Sequence, residues 1–326
     1  MPAILAAVLV IALVVLIPVN VSDLVSHPAP APDYADALRR VRERQLGDDV
    51  TATEGGRTVL LTHGTRVARV VVLLHGFTNS PRQYEHLAAR LYRRGDNVYV
   101  PRLPRHAERQ GTARALAQLT AEELTVSADS AVDIAQGLGD SVIVAGVSAG
   151  GTIAAWIAQR RSDVERAVIV APVLEIGRVP SFLARPLMKF ALRIPNMTRN
   201  ESPDTTRPDR ELGVSTRAVA QLLRLGEAIR ELARHSAPLT KDIVFVMNAS
   251  DHTVKTAPAV QLARDWTVAH TSVVVYQFPR ALNLPHDIAE IAHPNADTTV
   301  VYPALEALID GQGIPSVLAA HRLWPR

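Results

Sequence analysis

The chain contains no cysteine. Disulfides, thiol nucleophiles and thiolate metal sites are therefore excluded, while the compartment stays open. Aromatic residues are scarce, at 4% of 326 positions, yet apolar residues reach 48%, so the core must be built from Ala, Val, Leu and Ile. Lysine is nearly missing, occurring only at Lys189, Lys241 and Lys255. The formal net charge is only +3, which gives no basis for nucleic-acid binding. No charged side chain precedes Asp23. About 20 apolar residues suffice to cross a bilayer as a helix, so residues 1–22 predict a single-pass membrane anchor. The competing reading is a cleaved signal peptide and a secreted protein. No basic residue leads the apolar run, and Pro32 directly follows the best cleavage candidate, Ala29-Pro30-Ala31, so the anchor is favoured. The side of the membrane is not encoded, because Arg39, Arg40, Arg42 and Arg44 lie too far along the chain.

Beyond the apolar start the chain has a regular order. Residues 23–56 form a proline-rich linker, expected to be an extended tether, and a short helix over roughly 34–45. From residue 57 onward, apolar β-branched runs alternate with helical periodicity. "RTVLLTHG" alternates as a strand does and suits an edge hairpin, and "ARVVVLLHG" reads as a strand buried on both faces. Ser80, Pro81 and Gly95 punctuate a helix with Tyr84, Leu87, Ala88 and Leu91 on one face. Thr120 and Glu123 spell a capping box. "SVIVA", "RAVIVAP", "DIVFVM" and "SVVVYQF" continue the strands, with helices near 256–268 and 296–310. Such alternation predicts an α/β fold: a mostly parallel central sheet with helices on both faces. Residues 173–240 interrupt it with prolines and an amphipathic helix striped by Ala218, Leu222, Leu225, Ile229 and Leu232. This insertion is expected to cap the carboxyl ends of the strands, where such sheets bind ligands. The domain spans 57–312, and 313–326 is a tail.

One pentapeptide carries chemistry. Gly146-Val147-Ser148-Ala149-Gly150 fits G-x-S-x-G and lies between the strand "SVIVA" and the helix "TIAAWIAQ". Small neighbours permit the sharp strand-to-helix turn that lifts a serine above a sheet. A serine hydroxyl needs a base to become nucleophilic. Among 11 histidines, His286 in "LNLPHDIAEI" follows the last strand and precedes the last helix, with His293 as rival. His252 and His270 flank the preceding helix and read as surface or capping residues. Asp251, in the loop after "DIVFVM", is the favoured acid, because nucleophile, acid and base then follow in that order; Glu175 is the alternative. Asp287, beside His286, is expected to diverge from the imidazole. "LLHGFTNSP" offers the backbone N–H of Phe77, which with that of Ala149 would hold an oxyanion. Gly76 allows close approach to substrate, and His75 reads as architectural. Arg102, Arg105 and Arg109 read either as an anionic head-group site or as a solvated basic face.

These segments resemble the α/β-hydrolase superfamily, most closely the bacterial carboxylesterase, monoacylglycerol lipase, lysophospholipase and serine aminopeptidase-like group. The similarity rests on "VVVLLHGFTNSPRQYEHLAARL", "VYVPRLPRHA", "VAGVSAGG", "VMNASDHTV" and "LPHDI". In that group the fourth-strand loop often reads P-x-x-x-G-H-G, whereas here Arg105 and Ala107 replace the glycines. The resemblance implies Ser148 as nucleophile, Asp251 and His286 as its partners, and Phe77 and Ala149 as oxyanion donors. It further implies hydrolysis of small or lipid-like acyl esters with no metal or organic cofactor. The alternatives on the same fold are a non-catalytic receptor or scaffold, and an acyltransferase, thioesterase or peptidase. Oligomeric state is not legible.

Overall fold

A computed structural model of the chain describes residues 16–109, 111–200, 213–268, 272–291, 293–312 and 315–320. In chain order the elements are α1 (Tyr34–Thr51), β1 (Val59–Leu61), β2 (Val67–Leu74), α2 (Glu85–Arg93), β3 (Asn97–Val100), α3 (Thr112–Leu116), α4 (Ala121–Leu138), β4 (Gly139–Val147), α5 (Ala149–Arg160) and β5 (Arg166–Val170). There follow α6 (Ser181–Ala191), β6 (Thr198–Asn200), β7 (Gly213–Ser215), α7 (Thr216–Ala233), β8 (Asp242–Asn248), α8 (Thr256–Val268), β9 (Ser272–Phe278), α9 (Thr298–Asp310) and β10 (Ala319–Ala320).

The central sheet runs β1-β3-β2-β4-β5-β8-β9-β10, parallel except for its two edge strands. From β2 the chain steps outward to β3, returns to β4, then proceeds the other way through β5, β8 and β9. Right-handed crossovers in opposite directions put helices on opposite faces. The reversal makes a switch point between β2 and β4, where ligands of such sheets bind. The last five residues of β2 and the last six of β4 are buried, which explains their continuous apolar run.

Several details differ from the expectations. "RTVLLTHG" does form an edge strand, but its antiparallel partner is β3, Leu60 opposite Tyr99, so the pairing is not a local hairpin. Periodicity names a strand; it does not name the partner. The helix near 34–45 continues to Thr51, with Asp33 capping its start. The tail contributes β10, which zips onto β9 at Gln277 and Tyr276. The linker is not a free tether. Ser26 Oγ and the His27 N–H donate to the carboxylate of Asp129, and the Ala29 N–H donates to Asp133 at 2.9 Å. The fully buried Arg161 sits beneath the same two acids, 2.7 Å from Asp133. Burial acts to raise the Asp133 carboxyl, and despite the backbone and Arg161 contacts its pKa stays above the ordinary value. This polar dock fixes the proline segment to α4.

The anchor expected over residues 1–22 lies outside the described residues up to position 15. Among the described residues, no helix is long and apolar enough to cross a membrane. Within the insertion, Ala218, Leu222, Leu225 and Ile229 of α7 are buried in the main core, and α7 packs on α4, α5 and α8. The apolar stripe is thus committed to the domain and does not line an acyl site. The amphipathic element left exposed is α6, which the prolines conceal in the sequence; Pro203 and Pro208 lie outside the described residues.

Candidate active site

Ser148 sits between β4 and α5 with φ 59 and ψ −115, a left-handed conformation that a residue with a Cβ adopts only under strain. The turn is held by the Ser148 N–H donating to Val170 O at 2.9 Å and the Gly150 N–H donating to His75 O at 3.1 Å. It is also the reason for the flanking glycines. A Cβ on Gly150 would lie 1.9 Å from the carbonyl oxygen of Leu74, and one on Gly146 would lie 2.2 Å from that of Gly150. The helix start therefore presses directly on the end of β2, which brings the loop after β2 beside the serine.

The structure brings three predicted side chains into one hydrogen-bonded chain. Ser148 Oγ is 2.8 Å from His286 Nε2, and His286 Nδ1 is 2.6 Å from Asp251 Oδ2. A carboxylate only accepts, so Nδ1 carries the hydrogen and Nε2 is left to accept from the serine hydroxyl. Asp251 is deeply set, its side chain 3% exposed, and its other oxygen accepts from the Thr253 and Val254 N–H groups. Burial acts to lower the His286 pKa. The hydrogen bond to Asp251, the charge of Asp287 and that of Asp251 outweigh it, and the pKa lies above the ordinary 6.5.

Each partner sits on a braced loop. Asn248, buried at the end of β8, donates from Nδ2 to both Leu284 O and Pro285 O at 2.9 Å, just ahead of His286. Its Oδ1 accepts from the Ser250 N–H and its carbonyl from the Asp251 N–H. One amide thus ties the acid loop to the base loop. Sequence reasoning missed it, because an asparagine at a strand end carries no pattern of its own. The Gly177 N–H, donating to Thr253 O at 2.7 Å, braces the acid loop from the start of the insertion.

The loop after β2 is organised with equal density. His75 accepts the Leu103 N–H at Nε2 and so donates from Nδ1 to Gly76 O at 2.9 Å; buried and next to His106, it is held far below the usual histidine pKa and stays neutral. Its role is to shape the loop. His106, packed edge-on to Phe77, is pushed down by burial to about 4. The Gly76 N–H donates to Gln83 Oε1, while Gln83 Nε2 and Asn79 Nδ2 both donate to the carboxylate of Asp287, at 3.0 and 2.7 Å. Asp287 indeed diverges from its neighbour's imidazole and clamps the β2 loop instead. A Cβ on Gly76 would lie 3.1 Å from Asp287 Oδ1, so a side chain here would press on this clamp. Among the described residues, the N–H groups of Phe77 and Ala149 have no protein acceptor, as an oxyanion site requires.

The rival candidates fall elsewhere. Glu175 pairs with Lys255 and Arg230 under the insertion, each at 3.6 Å. His293 accepts the Asn295 N–H in the turn before α9, and His252 is exposed. His270 lies outside the described residues. The head-group reading of the arginines finds no support: Arg102 pairs with Asp48, Arg105 with Glu123, and Arg109 donates to Ala52 O.

Residues 71–305 match the sequence profile of the Alpha/beta hydrolase family. The chain belongs to this family. Over 191 residues it is 24% identical to a thermostable monoacylglycerol lipase of Bacillus sp. (strain H-257), covering 56% of this chain and 71% of that one. Two solved structures share the hydrolase fold. One, a metagenome-derived lipolytic enzyme described as LipS and LipT, aligns with TM-score 0.58 and 19% identity over 80% of this chain and all of its own. The monoacylglycerol lipase of Paleococcus ferrophilus aligns with TM-score 0.56 and 18% identity over 78% of this chain and 98% of its own.

Within this family the loop after β3 becomes interpretable. Arg105 and Ala107 stand where the resemblance leads one to expect glycine, and both keep positive φ, 66 and 51. The loop shape has been retained without the residue that suits it. Arg105 is compensated by its pairing with Glu123 of the α4 capping box. The Ala107 side chain is a methyl, which can form no such pair, and left-handed backbone costs a non-glycine residue about 1 kcal/mol. Ala107→Gly would relieve that strain, but the freer unfolded chain takes back about 0.4–1 kcal/mol and the packing of a buried methyl, about 0.8 kcal/mol, is lost, so a net destabilisation of about 0.5 kcal/mol is expected. A clear rise in thermal midpoint on this substitution would show that the strain outweighs both losses.

Proposed function

We propose that the chain is a serine hydrolase that cleaves carboxylic esters, its substrate a small or lipid-like acyl ester. The observation that carries this reading is the continuous chain Ser148–His286–Asp251 beside the N–H groups of Phe77 and Ala149. His286 Nε2 takes the Ser148 proton as Oγ attacks the acyl carbon. Asp251 keeps the ring in the required tautomer and stabilises the imidazolium. The N–H pair receives the negative oxygen, and α5 begins at Ala149, so its dipole adds to them. His286 then protonates the departing alcohol and later activates the water that releases the acid. The lipase names of the relatives support the ester class.

Labelling by a fluorophosphonate probe tests the proposal. Folded wild-type protein should be modified at Ser148 and should turn over p-nitrophenyl esters in an acyl-chain-length series. Protein that neither reacts nor turns over ends the reading in favour of a receptor.

The titration of His286 gives a signed expectation. The base must be neutral, so kcat/KM should rise with pH through a midpoint above 6.5. The stability sign is opposite. A raised folded-state pKa contributes stability that is complete below the unfolded value and is lost as pH climbs through the folded one. Asp251→Asn removes a cause of the rise and should move the activity midpoint downward, as a pH–rate profile will read.

A further inference from the structure

The most exposed apolar side chains beside the candidate site belong to α6. Phe182 is 79% exposed and Leu187 47%, and of the helix only Met188 is buried. Phe182, Leu183, Pro186 and Leu187 share one helical face. Along the segment itself the charge has one sign: residues 176–200 hold five basic side chains, at 178, 185, 189, 193 and 199, and no acidic one. One of them, Arg185, pairs with Glu227 of α7 at 2.7 Å. The helix is fixed at both ends to informative places. Lys255 Nζ donates to Ser181 Oγ at 2.8 Å, four residues from Asp251, so the helix starts beside the acid loop of the site. Arg193, just past its end, donates to Ile17 O and Pro18 O, so Ile17 and Pro18 lie against the end of this same helix. Leu16 and Ile17 are themselves exposed.

From this placement we infer that α6 and the Leu16–Ile17 strip form one docking surface for an anionic lipid bilayer. The inference rests on the proposed ester hydrolysis only for its purpose, delivery of acyl esters to Ser148, and not for its physics. A short amphipathic helix with apolar and basic faces lies in the interface plane, its apolar side chains among the acyl groups and its cations at the phosphates. A second copy fits less well, because a two-fold contact would oppose the same basic groups.

The test is co-sedimentation of the full chain with vesicles of phosphatidylcholine alone or mixed with phosphatidylglycerol, at low and high salt. Wild-type protein should partition at least about tenfold more strongly onto the anionic vesicles in low salt. Phe182→Ser/Leu187→Ser should lose roughly tenfold of that binding while keeping wild-type turnover of p-nitrophenyl acetate and an unchanged thermal midpoint. Phe182→Ser alone, at a position this exposed, guards against misfolding. Ser148→Ala should bind vesicles normally, so loss of chemistry and loss of docking are read separately. Equal binding by the α6 variants, which assigns adhesion to the N-terminal stretch alone, overturns the inference. So does a concentration-dependent dimer in wild type that the variants abolish.

Discussion

Ser148→Ala is expected to lower kcat on p-nitrophenyl esters by about 10^4–10^6-fold and to abolish fluorophosphonate labelling, with little change in thermal midpoint. The size reflects how the groups act together. His286 is 2.8 Å from the hydroxyl it would deprotonate, and the Asp251 contact serves only that imidazole, so removal of the oxygen idles all three. The residual rate would come from the two N–H groups and from binding alone. Stability should survive because alanine has the same backbone preference as serine at φ 59, and the turn is held by main-chain bonds to Val170 and His75. A variant that retains a tenth of wild-type activity would show that a different group attacks the ester, and the mechanism would have to be abandoned.

Among the described glycines, Gly150→Ala should be the most damaging added methyl. The added carbon would sit 1.9 Å from Leu74 O and 2.4 Å from its carbonyl carbon, both main chain at the buried end of β2. No side chain can swing aside. Either α5 lifts from the sheet or β2 loses its register with β4, where Leu74 pairs with Gly146. A loss above about 4 kcal/mol is expected, read as a fall of roughly 10 °C or more in thermal midpoint or as insoluble protein. The same displacement would part Ser148 from the Gly76–Phe77 loop, so any soluble fraction should be poorly active. A thermal midpoint within about 3 °C of wild type would contradict the geometry.

The parallel sheet was legible because strands buried on both faces must be apolar throughout, and "VVVLL" and "SVIVA" are nearly nothing else. The nucleophile turn was legible because its glycines belong to one strand–turn–helix unit that is read off consecutive residues. His286 and Asp251 could be placed in loops by order of appearance, but the segment 173–240 defeated periodicity. There α7 reads as an amphipathic helix of the cap, and its stripe is spent on α4, α5 and α8. Helix α6, with Pro186 inside it, is hidden among the prolines of the segment. Amphipathicity reports that a face wants cover, not what covers it.

The sequence by itself determined the parallel strands and most of the helices between them, the serine turn and the residue types able to complete its chemistry, since these depend on patterns within one strand–turn–helix unit. Tertiary structure decided that His286 does meet the serine and that Asp251, and not Glu175, meets His286. It also decided that Asn248 and Asp287 brace the loops and that the proline segment docks on α4. Those choices join residues 35 to more than 200 positions apart, and no local pattern encodes a partner at that distance.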